Sequence, residues 1–350
     1  MDTRGGQVSE ARVVTATDET LETILDESFG IWGDGLTRAA YGRFNAAQLR
    51  TPWGRTHLRR LALVDGGRLL SSAKRYDLAG RLDGRRVRIL GIGAVFTPRA
   101  ERGRGHAPAL IRRMIQEAAD EGVELALLFS EIGAPYYEQL GFRTVPTGDL
   151  LLQIGTKAGA PAMLVRAGEE RDYAEIGDMH AVRAARYRFA LERDAGYLGY
   201  AIAKKRMLAG FGARGHRALQ FFVAEEGGRA VAYLVMTVTD GESPAARPQG
   251  DPFPAGRRRT ADKWTIEDCG DRDPTGARLG AMLQVLLARM PGEQRPTIRA
   301  WLPAGFRPPQ MTGALAVPCG IEMMMRWTGE RADPFVLKGE DVLYWRGDAF

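Results

Sequence analysis

The sequence predicts an α+β chain of two tandem units, each a mixed, mostly antiparallel sheet flanked by helices. Three observations carry this. At 350 residues the chain is too long for one small core. The order helix, antiparallel strands, helix, strand occurs in the first half and again in the second. The long helix of each half repeats one apolar spacing, Ala107, Leu110, Ile111, Met114, Ile115 and Ala118 against Leu279, Met282, Leu283, Leu286, Leu287 and Met290. The units are expected at 12–157 and 165–330, with a tail at 331–350.

Residues 1–10 read as a loose end. Thr17 or Asp18 caps a first helix, with Leu21, Ile24, Leu25 and Phe29 on its apolar side. "LALVDGGRLLSSAKRY" is a hairpin turned by Asp65-Gly66-Gly67, and "RLDGRRVRILGIGAVF" adds a turn and a strand ending near Phe96. A helix opens near Gly105, "VELALLFS" is a buried strand, and "APYYEQLGF" is a short helix ended by Gly141. In the second half "EERDYAEIGDMHAVRAARYRF" is helical, and "LQFFVAEEGGRAVAYLVMTVT" turns at Glu226-Gly227-Gly228. Residues 241–260 are a Pro-, Gly- and Arg-rich loop, and "KWTIEDCG" is a strand before the second long helix. "IEMMMRW" reads as a core strand, and "EDVLYWRGDAF" as a tail anchored by Val342, Leu343, Tyr344 and Trp345.

Composition narrows the function. Hydrophobic residues at 45% and charged residues at 26% are ordinary for a globular protein. No run is long enough for a membrane span, and "MDTRGGQVSEARVV" lacks a signal's apolar core. Two cysteines give neither a disulfide framework nor zinc spacing, and the four histidines are scattered, so a cytoplasmic protein without a metal is expected. The net charge of +6 is spread along the chain with no nucleic-acid signature, which argues against a nucleic-acid partner. "RRR" at 257–259 reads as a solvated loop.

"ERGRGHAPALIRRM" is the informative stretch. Glycine before a helix lets a ligand approach the backbone, and the helix start supplies free N–H donors and partial positive charge. Together they suit a pyrophosphate. Arg102 and Arg104 add charge, His106 is expected to offer its backbone N–H, and Pro108 fits the first turn. Arg102-Gly103-Arg104-Gly105-His106-Ala107 resembles the R-x-x-G-x-A loop of the GNAT acyltransferases, which holds acetyl-CoA. Three further features follow the same family: a strand ending at Val95 to Thr97, the amphipathic helix, and Tyr137-Glu138-Gln139-Leu140-Gly141-Phe142, similar to its Y-x-x-x-G-F element. A second GNAT-like unit and a terminal aromatic look like the enhanced-intracellular-survival type of tandem acetyltransferase. This sequence has no room for that type's sterol-carrier-like domain.

The resemblance implies transfer of an acetyl group from acetyl-CoA to a primary amine by direct attack in a ternary complex. The acceptor is a small molecule or peptide. Backbone around Val95, Phe96 and Thr97 polarises the thioester, Tyr137 is the acid that protects the leaving thiolate, and Tyr136 is packing. A phenol near pKa 10 is matched to a thiol. For the base there are three candidates: the α-carboxylate of Phe350, Glu131 at the end of the buried strand, or water. Aligning the apolar helix faces sets Pro274 opposite Arg102 and Ala277 opposite Gly105, so the second unit is expected to be degenerate and to wall the acceptor pocket. A catalytically silent acyl-CoA sensor or scaffold is the alternative, and a homo-oligomer is compatible with either.

Overall fold

In the computed structural model, residues 11–33, 35–155, 163–212, 217–242, 259–290, 295–331 and 335–350 are described. The first half of the chain forms β1 (Arg12–Thr15), α1 (Asp18–Trp32), α2 (Arg38–Arg50), α3 (Pro52–His57), β2 (Leu58–Asp65), β3 (Arg68–Leu82) and β4 (Arg85–Phe96). It continues through α4 (His106–Asp120), β5 (Leu125–Ser130), α5 (Pro135–Glu138), β6 (Arg143–Val145) and β7 (Asp149–Ile154). Next come β8 (Leu164–Ala167), α6 (Tyr173–Ala184), β9 (Phe189–Leu191), α7 (Ala195–Phe211), β10 (Arg217–Glu226), β11 (Arg229–Glu242) and β12 (Arg259–Asp271). The chain ends with α8 (Ala277–Ala288), β13 (Thr297–Ala300), β14 (Met311–Val317), β15 (Glu322–Trp327) and β16 (Val342–Leu343).

These strands make two sheets, as the repeat predicts. The first runs β1-β2-β3-β4-β5-β15-β6, with β9 joining β3 to β16; the second runs β14-β7-β13-β12-β11-β10-β8. Each contains an antiparallel meander followed by one parallel step, β4 to β5 and β12 to β13, with α4 and α8 as the crossovers. The sheets then trade strands. β15 inserts between β5 and β6, antiparallel to both, and β7 takes the matching place between β13 and β14. The expected ranges 12–157 and 165–330 therefore interlock, since each sheet takes its next-to-last strand from the other segment.

Physical chemistry accounts for the exchange. Met323, Met324 and Met325 are almost wholly buried in β15, and each such side chain contributes about 1.5–3 kcal/mol by leaving water. "IEMMMRW" is a core strand, as its composition suggests, but its core belongs to the first sheet. Leu152 and Ile154 of β7 lie with Met282, Leu286 and Trp264 in the second core.

Several elements lie outside the sequence reading. β1, α2, α3 and α7 have no counterpart in it. Thr37 caps α2 at Ala40 N, Thr51 caps α3 at Gly54 N, and Asp194 caps α7 at Tyr197 N, which are ordinary N-cap signals. α7 carries apolar residues around its circumference and packs against α2, α3, α6 and β10. It therefore shows no single apolar stripe to read. Most of the 241–260 loop, with Arg257 and Arg258, lies outside the described residues, and Arg259 opens β12. No helix among the described residues is long and apolar enough to cross a membrane.

The tail is locked in place by charge as well as by apolar burial. Arg193 is buried and donates to Asp268 and to Asp348, while Tyr233 O–H reaches Asp268 at 2.9 Å and Tyr197 O–H reaches Asp348 at 3.1 Å. Arg346 and Arg299 both hold the buried Asp149. Replacing Arg193 with Met leaves two buried carboxylates unpaired and should cost about 3–5 kcal/mol. Urea unfolding measures this; a loss below about 1 kcal/mol would show that the pair is worth no more than a surface one.

Candidate active site

The strand geometry creates the site. β4 and β5 pair from Ile89↔Leu125 to Ile92↔Leu128, where the pairing stops. On the other edge β4 pairs with β3 at Lys74↔Gly93 and next at Ser72↔Phe96. The extra residue makes a bulge, and Ala94 sits at φ +46°, unusual for a side chain with a Cβ. Ser71 Oγ occupies the Phe96 carbonyl at 2.8 Å. Beyond Ile92 and Leu128 lies a cavity of about 380 Å³. Its lining includes Trp32, Tyr41, Asn45, Gly93 to Val95, Phe129, Glu131, Tyr137 and Phe350.

Phe350 is delivered by the tail. Val342 to Trp345 are almost wholly buried, and Gly347 lies against β12, where a Cβ would meet the Glu267 carbonyl at 2.9 Å. The Phe350 ring rests 4.5 Å from the Tyr76 ring and 5.1 Å from that of Phe129. Its main chain covers Gly93, where a Cβ would meet Phe350 O at 3.0 Å; at Gly91 a Cβ would meet its ring at 2.7 Å. Sequence reading passed over both glycines, although glycine inside a strand marks close approach of another group.

Tyr137 is buried, lines the cavity, and its hydroxyl has no hydrogen-bond partner among the described residues. Burial, followed by neighbouring Tyr136, pushes the phenol up to about 12. The buried phenol therefore holds its proton more tightly than a free one. Tyr136 packs edge-on against Tyr137 at 5.0 Å. Glu131 is exposed at the mouth, beside Ile132.

The glycine loop stands at the start of α4 and takes no part in the cavity wall. Gly103 and Gly105 have φ of +75° and +79°, and a Cβ on either would meet nothing within 4 Å. The loop is tied to the strand end by Arg102 Nε, which donates to Thr97 O at 3.2 Å. Its organiser is buried Glu101, which holds Arg68, Arg104 and His106 at 3.3 Å each. The structure thus brings Val95, Glu131, Tyr137 and Phe350 to one cavity; Phe96 and Thr97 follow at its edge, and Arg102 to Ala107 lie beyond.

A cationic group in the same cavity had no sequence signal. Arg60 is 4% exposed, and its Nε, Nη1 and Nη2 have no hydrogen-bond partner among the described residues. Lys74 Nζ donates to Gln48 Oε1 at 3.1 Å, and Lys204 Nζ to Ala349 O at 3.4 Å. Burial, with Arg60 and Lys204 nearby, pushes Lys74 well below its ordinary pKa; burial and Lys205 bring Lys204 to about 7.

The second unit differs at its own helix start. Gly276 precedes α8 at φ +79°, so it takes the place of Gly105; the helix caps correct by one residue the alignment that put Ala277 there. The space is filled, however. A Cβ on Gly276 would meet Phe306 at 2.7 Å, and Asp271 Oδ2 accepts from Leu279 N at 2.9 Å.

The site is thus a parallel strand pair that splays at a bulge, beside a helix opened by glycines. Residues 33–145 match the model of the acetyltransferase (GNAT) domain. No curated protein matches the sequence. Among solved structures, a probable N-acyltransferase from Enterococcus faecalis V583 is 16% identical with a TM-score of 0.62, over 91% of this chain and 73% of that one. A GCN5-related N-acetyltransferase from Kribbella flavida is 17% identical with a TM-score of 0.61, over 91% and 71%. Eis1 from Mycobacterium abscessus is 13% identical with a TM-score of 0.51, over 91% and 74%. At these identities the likeness is one of fold, and it extends through both sheets.

Gly91→Val should expel the Phe350 ring while leaving β4 paired. Limited carboxypeptidase digestion followed by mass spectrometry would then remove Phe350 from the variant faster than from the parent, by about ten-fold for each 1.4 kcal/mol of lost seating. Equal rates would mean the tail is seated elsewhere.

Proposed function

We propose that this chain is an acetyl-CoA-dependent N-acyltransferase acting on a primary amine, with catalysis in 12–157, a degenerate second unit in 165–330, and a catalytic tail in 331–350. The observation that carries the reading is the meeting of the β4–β5 splay, Tyr137 and Phe350 in one cavity. In this reading the pyrophosphate of acetyl-CoA lies on the backbone N–H groups of 103–107, with Arg102 and Arg104 adding charge. The thioester lies along Val95, Phe96 and Thr97, whose main chain β5 has left unpaired past Ile92. A backbone N–H there polarises the carbonyl.

The neutral amine attacks the thioester carbon, forming the C–N bond. Its proton goes to the base, and collapse of the tetrahedral adduct breaks the C–S bond and releases CoA thiolate, which takes the Tyr137 proton. In this reading the base is the α-carboxylate of Phe350, supported by the seating of that residue in the cavity against Gly93, whereas Glu131 is exposed. The filled helix start at Gly276 supports one donor site per chain. The acceptor is a small molecule or peptide.

Calorimetric titration with acetyl-CoA tests the donor site, with one equivalent expected per chain. Gly105→Val should abolish the heat by filling the loop, at a stability cost of about 1–2 kcal/mol from the left-handed backbone; two equivalents, or unchanged binding in the variant, would sink the assignment.

Steady-state kinetics on an amine panel test the chemistry. Tyr137→Phe and removal of Phe350 should each lower kcat by about 10²–10⁴-fold with acetyl-CoA affinity retained. Full activity without Phe350 would transfer the base to Glu131 or water. Binding without turnover on any amine would favour an acyl-CoA sensor.

A further inference from the structure

We propose that the acceptor amine carries an anionic group, a carboxylate or phosphate, which seats against Arg60 and Lys74 in the cavity. This deepens the acyltransfer reading and rests on it for the word acceptor. The site itself is defined by geometry. Arg60 comes from β2, lines the cavity, and is buried with all three guanidinium nitrogens unpartnered among the described residues. A buried guanidinium without a partner is among the costliest groups a fold can hold. Its planar fork suits the two oxygens of a carboxylate or phosphate.

Among the described residues no carboxylate pairs with Arg60. Lys74, on the neighbouring strand, lines the same cavity and is held by the neutral amide of Gln48. Asn45 gives its Nδ2 to Tyr41 O at 3.0 Å, leaving its Oδ1 as a neutral acceptor. Of the carboxylates at the cavity, Glu131 lies exposed at the mouth, and neither it nor the terminal residue Phe350 forms an ion pair with Arg60 or Lys74. Lys204 of α7 donates to Ala349 O nearby. The charge pattern favours an amine with an anion and opposes a polycationic one. Arg60, Lys74 and Gly93 stand in register across β2, β3 and β4, so an anion at Arg60 lies two strands from the bulge.

The test is calorimetric and needs no turnover. N-acetylglycine is compared with N-acetylglycinamide, and phosphoethanolamine with ethanolamine, in the parent, Arg60→Met and Arg60→Lys. Expected is tighter binding of at least one anionic partner over its neutral isostere by about ten-fold or more, the worth of one charge-assisted hydrogen bond. Which pair discriminates identifies carboxylate or phosphate. Arg60→Met should erase the preference and Arg60→Lys retain part of it. Arg60→Met removes a buried charge, so it is expected to fold at least as well as the parent, read as an unchanged or raised Tm. Equal affinities within both pairs, or a preference that survives Arg60→Met, overturns the proposal. Failure of the parent to bind acetyl-CoA would sink the donor assignment while leaving this readout intact.

Discussion

The reciprocal exchange of β7 and β15 is the constraint from which the rest of the structure follows. A strand between two partners in a foreign sheet cannot leave without exposing apolar surface and breaking two ladders. Because β15 is fixed between β5 and β6, every residue after Trp327 begins its path on the first unit. The tail then needs only β16 beside β9, and one turn against β12, to bring Phe350 to the β4 bulge. The cavity wall thus depends on residues about 250 positions apart in the chain, Gly93 and Phe350 among them, held in register by strand pairing.

Electrostatics follows the same plan. Where the tail crosses the second unit, buried charges meet opposite ones: Arg193 meets both Asp268 and Asp348, and Arg346 meets Asp149. Where it enters the cavity, charges are left without one, Arg60 most of all. The contrast matters because both regions are buried and both could have been neutralised by a single carboxylate. Opposite charges meet where the tail is anchored, and Arg60 meets none among the described residues where a cavity of about 380 Å³ remains open.

Legibility in the sequence tracked how local each cause is. The hairpins at Gly66-Gly67 and Gly227-Gly228, the long helices and the 103–105 loop all come from signals a few residues wide, and all are in place. The tail's anchor was legible too, because four successive apolar residues are hard to leave in water. The strand exchange was not, since "IEMMMRW" says that it is buried and nothing about in which sheet. Arg60 and Lys74 were invisible for a related reason. On paper they stand in alternating strand runs, where a cation normally faces solvent; here α2, α7 and the tail cover that face. Gly91 and Gly93 did carry a signal, but its meaning depended on a residue far along the chain.

The two helix starts make the same point about where function resides. Gly105 and Gly276 share a backbone, each at φ +79° and each just before a crossover helix. Backbone conformation therefore does not separate them. What separates them is occupancy: beyond Gly105 the space is open, while beyond Gly276 it holds Phe306 and Pro308, and Asp271 has taken a first-turn N–H. An anion arriving at the second helix would have to displace an aromatic ring and meet a carboxylate, both unfavourable. Arg183, stacked on Phe306 at 3.9 Å, holds the ring there. A helix N-terminus thus offers N–H donors in both units, with open space before it in the first, and the difference is made by a loop and a carboxylate rather than by the helix itself.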